Sequence, residues 1–206
     1  MKKSYAYCSI FILTILFSIS SNAQFSGSVY YGVPNTLSAG VVLNSNYLSE
    51  VYATPMNIDY KNIGPMGLWA SYQSESKIGI GLDLNFSRSS AEFGYWKDIN
   101  DSISGNVSTM KASRNVFRAM IRFDAHFTAN EIVDPFLSLG IGYRATGNSY
   151  TSTRPGYVEE PTETLIPISF RLAAGANIYV VENVGILLEA GLSGGGLLRI
   201  GATYRM

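Results

Sequence analysis

The sequence predicts an all-β protein: an eight-stranded antiparallel transmembrane β-barrel, wound as an up-and-down meander. Three observations point there. Charged residues make up only 15% of the chain, against about 25% in an ordinary soluble domain. Yet no run of eighteen apolar residues follows the N-terminal segment, which excludes helical spans. Segment after segment alternates apolar and polar residues with period two, the signature of a strand with two different faces. The connections between these segments alternate between short and long, as they do at the two ends of a membrane barrel. The 20 Gly, 14 Tyr and 10 Phe suit strands and turns.

The N-terminus reads as a targeting segment. Lys2 and Lys3 precede an apolar stretch from Cys8 to Ile19, and Ser21-Asn22-Ala23 supplies the small residues of a cleavage site. Residues 1–23 are therefore expected to be a signal peptide and 24–206 the barrel domain. Cys8 lies ahead of the apolar core instead of behind it, so no lipid-attachment pattern forms. Cleavage removes the single cysteine, leaving no disulfide in the mature chain. It also removes two of the 15 basic residues, leaving 13 against 15 acidic ones, a balance with no footprint for nucleic acid.

In chain order, the first strand carries Val29, Tyr31 and Val33; Pro34 limits it, and residues 37–43 could extend it past a kink. The second alternates through Met66, Leu68, Ala70 and Tyr72. The third, Lys77–Ser87, sets Ile78, Ile80, Leu82, Leu84 and Phe86 against Asp83 and Asn85. The fourth, 113–128, sets Phe117, Ile121, Phe123 and Phe127 against Arg114, Arg118, Arg122, Asp124 and His126. Strands around Leu137–Ala145, Ile166–Ile178, Val184–Leu192 and Leu198–Tyr204 complete the eight. Short connections fall at 74–76, 129–134 and 181–183 and long ones at 35–62, 98–112 and 148–163, with a tight Gly194-Gly195-Gly196 last.

Alternation alone also fits a soluble barrel with its faces inverted. Composition separates the two: the non-apolar face is mostly Gly, Ser, Ala and Asn, unlike the Lys- and Glu-rich surface water requires. Tyr72, Phe127 and Tyr204 lie on the apolar parity near the short-turn ends, where an interfacial girdle belongs.

The segments Gly64-Pro65-Met66-Gly67-Leu68, Lys77-Ile78-Gly79-Ile80-Gly81, Gly140-Ile141-Gly142-Tyr143 and Arg199-Ile200-Gly201-Ala202-Thr203-Tyr204 carry a resemblance. The chain resembles small outer-membrane barrels of the OmpA/OmpX type and, more closely, the broad "porin family" of outer-membrane β-barrel domain proteins. The resemblance implies an outer-membrane location, lipid as surroundings and the barrel-assembly machinery as a partner. Such proteins usually end on an aromatic residue; this chain ends on Met206, with Tyr204 two positions earlier on the same face. An eight-stranded interior is just wide enough for side chains to fill it, so the family label does not imply an open channel.

Catalytic chemistry finds little support. His126, the single histidine, has the lumen parity and a place near the short-turn end, with Asp124 as its expected partner; a lipid hydrolase would need His and Ser on the lipid face. No spacing suggests a metal or other cofactor, and the glycine triplet lacks the features of a phosphate loop. Hairpin arithmetic pairs Glu189 with Arg199 and brings Asp83 within reach of Arg122, as lumen ion pairs that fix register. It also aligns Arg118, Arg144 and Arg171 as a lumen row. That row is closed either by carboxylates, Asp83 or Glu159, Glu160 and Glu163 folding in, or by an anionic ligand. The expected function is structural, anchoring or binding. External loops would present Tyr47, Tyr52, Met56, Tyr60, Tyr150, Arg154, Tyr157, Glu159 and Glu160 to an extracellular or envelope protein partner. A narrow channel for small anionic solutes or a part of a secretion machine is the alternative.

Overall fold

A computed structural model describes residues 24–33, 56–73, 77–96, 103–127, 132–154 and 167–206. The expected signal peptide, the Pro34 kink, the connection at 74–76 and the loop residues Tyr47, Tyr52, Tyr157, Glu159, Glu160 and Glu163 lie outside the described residues, as does the side chain of Met56.

Eight strands follow one another: β1 (Gln24–Gly32), β2 (Met56–Gln73), β3 (Ile78–Tyr95), β4 (Ser108–His126), β5 (Val133–Ser152), β6 (Ile168–Tyr179), β7 (Val184–Ser193) and β8 (Leu198–Arg205). Each pairs antiparallel with the next, and β8 closes on β1. Paired residues followed from Ser28 through β2, β3, β4 and β5 arrive at Ser169 on β6. Followed the other way, through β8 and β7, they arrive at Tyr179 on the same strand. This stagger of ten residues makes the strands tilt and sets the barrel's narrow bore.

The faces follow the parity of the sequence. Leu68, Ile80, Leu82, Ile121, Leu139, Phe170, Leu172 and Ile200 are each about half exposed on the outside, while Trp69, Asp83, Arg122, Ser138, Arg171 and Glu189 are buried in the lumen. Aromatic residues mark both limits of the apolar exterior. Phe25, Phe127 and Tyr204 face out at the short-turn end; Tyr31, Phe86, Phe117, Tyr143 and Phe170 face out at the other. From Phe117 on β4 to Phe127, the residue just past its end, the chain rises about 33 Å, which at a membrane barrel's usual tilt gives a band about 25 Å tall.

The strands are longer than the sequence suggests on one side. β2 to β5 have 18, 18, 19 and 20 residues, against 9, 12, 10 and 8 for β1, β6, β7 and β8. Much of what reads as loop is therefore strand: residues 56–62, 108–112 and 148–152 belong to β2, β4 and β5. Tyr60 and Tyr150 are strand residues, not loop residues. Pairing of β1 with β2 stops at Tyr31↔Met66, and pairing of β5 with β6 stops at Tyr143↔Ile168. The upper parts of β2 to β5 thus form a four-stranded sheet continuing past the closed barrel. A bulge between Ile63 and Met66 accompanies the start of this extension on β2.

Candidate functional site

The lumen is filled in layers. At the short-turn end Trp69, Phe136, Tyr30 and Leu187 form a buried cluster, with the Trp69 and Phe136 rings 6.0 Å apart and tilted. Beside it, His126 Nδ1 lies 2.8 Å from Asp134 Oδ1 and 2.9 Å from Oδ2, and Asn177 donates to Asp134 Oδ2 at 3.3 Å. The sequence expectation of Asp124 as the histidine's partner is corrected, because Arg122 Nε donates to Asp124 Oδ1 at 2.6 Å.

Above this lies an ionic layer. Glu189 is its hub: Arg171 Nη2 approaches Oε1 at 2.7 Å, Arg122 Nη1 approaches Oε2 at 2.7 Å and Arg199 Nη1 stands 3.3 Å from Oε1. Arg199 makes its shorter contact with Asp83, at 2.7 Å, and Tyr30 Oη donates to the other oxygen of Asp83 at 2.5 Å. The guanidinium carbon of Arg122 lies 3.9 Å from the centre of the Trp69 ring, and that of Arg199 lies 4.1 Å from the Tyr30 ring. Three arginines (122, 171, 199) therefore face three carboxylates (Asp83, Asp124, Glu189), all at most 3% exposed. Charges withdrawn from water this completely persist where each has opposite charge and hydrogen bonds around it.

The pairs expected from sequence are met unevenly. Glu189 and Arg199 are direct cross-strand partners. Asp83 instead faces Met120, and Arg122 faces Gly81. Asp83 and Arg122 still approach to 3.9 Å, but as a secondary contact. Arg118 and Arg144 are opposite each other. Arg171 does not continue their row: it pairs with Gly140, four residues from Arg144 along β5, and belongs to the ionic layer with Glu189.

Sequence reasoning missed the lid over this layer. Gly194, Gly195 and Gly196 all have positive φ, 56°, 100° and 80°, which glycine alone adopts without strain. Their carbonyls turn into the lumen. Arg199 Nη2 donates to Gly194 O at 3.0 Å and Arg171 Nη1 to Gly196 O at 3.0 Å, while both arginines reach Gly195 O at 3.3 Å. Asn85 Nδ2 adds a bond to Gly194 O at 3.4 Å. The β7–β8 turn is thus a cap made of backbone acceptors. Gly195→Val is expected to lower stability by about 1–3 kcal/mol through strain at that φ; denaturant midpoints in detergent micelles check it, and unchanged midpoints would contradict the cap.

On the extended sheet the faces exchange character. Outward positions beyond Phe86, Phe117 and Ala145 become Arg88, Ser90 and Glu92 on β3, Asn115, Ser113 and Lys111 on β4, and Gly147, Ser149 and Thr151 on β5. Inward positions stay polar just above, at Ser89, Arg114 and Asn148, and become apolar further up, where Phe93, Tyr95 and Met110 are buried together and Tyr150 packs against them. Tyr95 Oη and Ser152 Oγ share a hydrogen bond at 2.9 Å. Register carries the change across neighbouring strands at one level: Phe86↔Phe117 and Phe117↔Ala145 are the last outward pairs with apolar residues, and Arg88↔Asn115 and Asn115↔Gly147 follow.

Fold and lumen together define the class: a closed, ion-sealed eight-stranded barrel with an apolar exterior band and a projecting sheet. No protein-family pattern matches the chain, and no curated protein matches it. Among solved structures it is similar to Ail, the attachment invasion locus protein of Yersinia pestis: 13% identity, TM-score 0.39, 89% of this chain and 97% of that one. The same protein in complex with the heparin analogue sucrose octasulfate gives 14% identity and a TM-score of 0.35 over 89% of this chain and 97% of that one. Neisserial surface protein A gives 12% identity and a TM-score of 0.29 over 90% and 97%. Both are similar in fold alone.

Proposed function

We propose that the chain is an integral outer-membrane barrel that holds a rigid β-sheet outside the cell to bind a partner protein, without acting as a channel or an enzyme. The change of the outward face of β3 to β5 from apolar to polar at one level carries this reading. Below Phe86 and Phe117 the outside is oily and the inside polar, as lipid and a filled lumen demand. Above them the outside of β3 to β5 is polar, and further up the inside packs Phe93, Tyr95 and Met110 together, as in a sheet standing in water. The bilayer surface belongs at that level. Residues 1–23 would then direct export, and the barrel-assembly machinery would insert the mature chain.

The projecting sheet offers more than loop tips. Among the described residues, no strand pairs with the outer edge of β2 over 57–63. A strand edge with unpaired N–H and C=O groups is a template for an added strand from another protein. The neutral ionic layer and the glycine cap close the lumen beneath it, so the channel alternative has no open path through the described residues.

Single cysteines at Lys111 and Ser149 are expected to react with a membrane-impermeant maleimide on intact cells, and one at Val181 only after lysis. Reaction at Val181 alone would reverse the orientation and remove the proposed function. Planar-bilayer recording is expected to show no discrete conductance from the wild-type protein; steady open steps would return the channel reading.

A further inference from the structure

At the base of the projecting sheet the lumen carries positive charge that the ionic layer does not neutralise. Arg114 and Arg118 share the inward face of β4, four residues and two repeats of the pleat apart with Val116 between them, and Arg144 stands directly opposite Arg118 on β5. Three arginines below are matched by three carboxylates. Arg114 and Arg118 have no carboxylate partner among the described residues; Arg118 Nη1 donates to Asn85 Oδ1 at 3.2 Å. Arg144, Arg114 and Arg199 place like charge around Arg118. Asn85 and the Gly195 turn form the floor, since a Cβ at Gly195 would lie 3.0 Å from Asn85 Oδ1 and 3.3 Å from Arg118 Nη1. All three arginines are half-buried.

We infer that Arg114 and Arg118, with Arg144 beside them, form a binding site for a soluble phosphate or sulfate group at the outer mouth of the closed barrel. Like charges held in a confined space of low dielectric repel strongly, and an oxyanion between planar guanidinium groups converts that repulsion into charge-assisted hydrogen bonds. Lipid headgroups do not reach the site, because it faces the lumen and the sealed wall of β4 and β5 separates it from the bilayer. The site goes beyond the proposed protein-binding sheet and does not depend on it: it is read in purified protein, whereas the sheet's orientation is read on cells.

The experiment is calorimetric titration of the full barrel in detergent micelles with inorganic phosphate and with sulfate. The wild-type protein is expected to bind saturably, and the Arg114→Gln/Arg118→Gln variant to bind at least about tenfold more weakly. Lys111→Gln, on the outward face of the same strand, should bind as the wild type does. Without anion, the double variant should melt no lower than the wild type, because its loss relieves repulsion. Equal binding by the double variant and the wild type, or no binding by the wild type, would overturn the inference. So would binding that appears only after Glu159, Glu160 and Glu163 are all changed to Gln, which would assign these arginines to the chain's own carboxylates.

Discussion

Glu189→Gln is expected to destabilise the barrel by about 3–5 kcal/mol, the range for breaking a buried ionic cluster by removing one partner. The side chain keeps its size, so no cavity is made. What disappears is the negative charge that Arg171, Arg122 and Arg199 approach at 2.7, 2.7 and 3.3 Å. Three guanidinium groups would then share Asp83 and Asp124 in a space closed to water. Urea unfolding in micelles, followed by the fluorescence of Trp69 and Trp96, checks the loss. Adding Arg171→Met to this variant should restore part of the stability, since it removes one of the stranded cations. A midpoint unchanged in Glu189→Gln would mean that the cluster does not hold the lumen together.

Ile121→Arg is expected to cost about 2–4 kcal/mol of stability in lipid, the cost of a cation on the lipid face near the midplane. Ile121 lies midway between Phe117 and Phe127 and is half exposed on the outside. The same substitution at Leu139 or Leu172, its equivalents on β5 and β6, should cost a similar amount. Arg at Gly142 fails for another reason: a side chain there meets the Ala119 carbonyl, which the glycine allows to approach closely. Refolding equilibria in phospholipid vesicles distinguish these cases.

Parity was legible in the sequence because lipid and lumen impose opposite demands on alternate residues. Strand length was not, for a physical reason seen on β3. Ile78 through Phe86 place apolar residues at even positions, whereas Phe93 and Tyr95 place them at odd ones. The strand continues without a break, but in the proposed setting its surroundings would change from lipid to water, and the apolar face moves inside at Phe93 and Tyr95. A reading that follows the oily face therefore stops at the membrane surface and assigns 98–112 to loop, although β4 begins at Ser108.

Register was legible across tight turns and not across long ones. The glycine triplet fixes Glu189↔Arg199, and the short β4–β5 connection fixes Arg118↔Arg144. Across the longer β3–β4 and β5–β6 connections the midpoint of the loop is not the midpoint of the hairpin. Asp83 therefore falls two residues from Arg122, and Arg171 four residues from Arg144. Arg114 lay in plain view on the lumen parity of β4, but an arginine eight residues above the neutral layer at Arg122 has no signal until that layer's charges are counted. The inward glycine carbonyls have none either, since backbone acceptors leave no mark on residue type.

The central claim is that the bilayer ends between Phe117 and Asn115. It is tested most directly by spin labels placed singly at the outward positions of β4, Lys111, Ser113, Asn115, Phe117, Ala119, Ile121, Phe123 and Ala125, in vesicles. Collision with oxygen, which concentrates in lipid, is compared with collision with a water-soluble nickel complex. The account predicts oxygen-dominated relaxation from Phe117 through Ala125, highest near Ile121, and a change to nickel-dominated relaxation at Asn115 that persists to Lys111. Nickel access at every position from Lys111 to Ala125 would describe a barrel standing in water and would contradict the account.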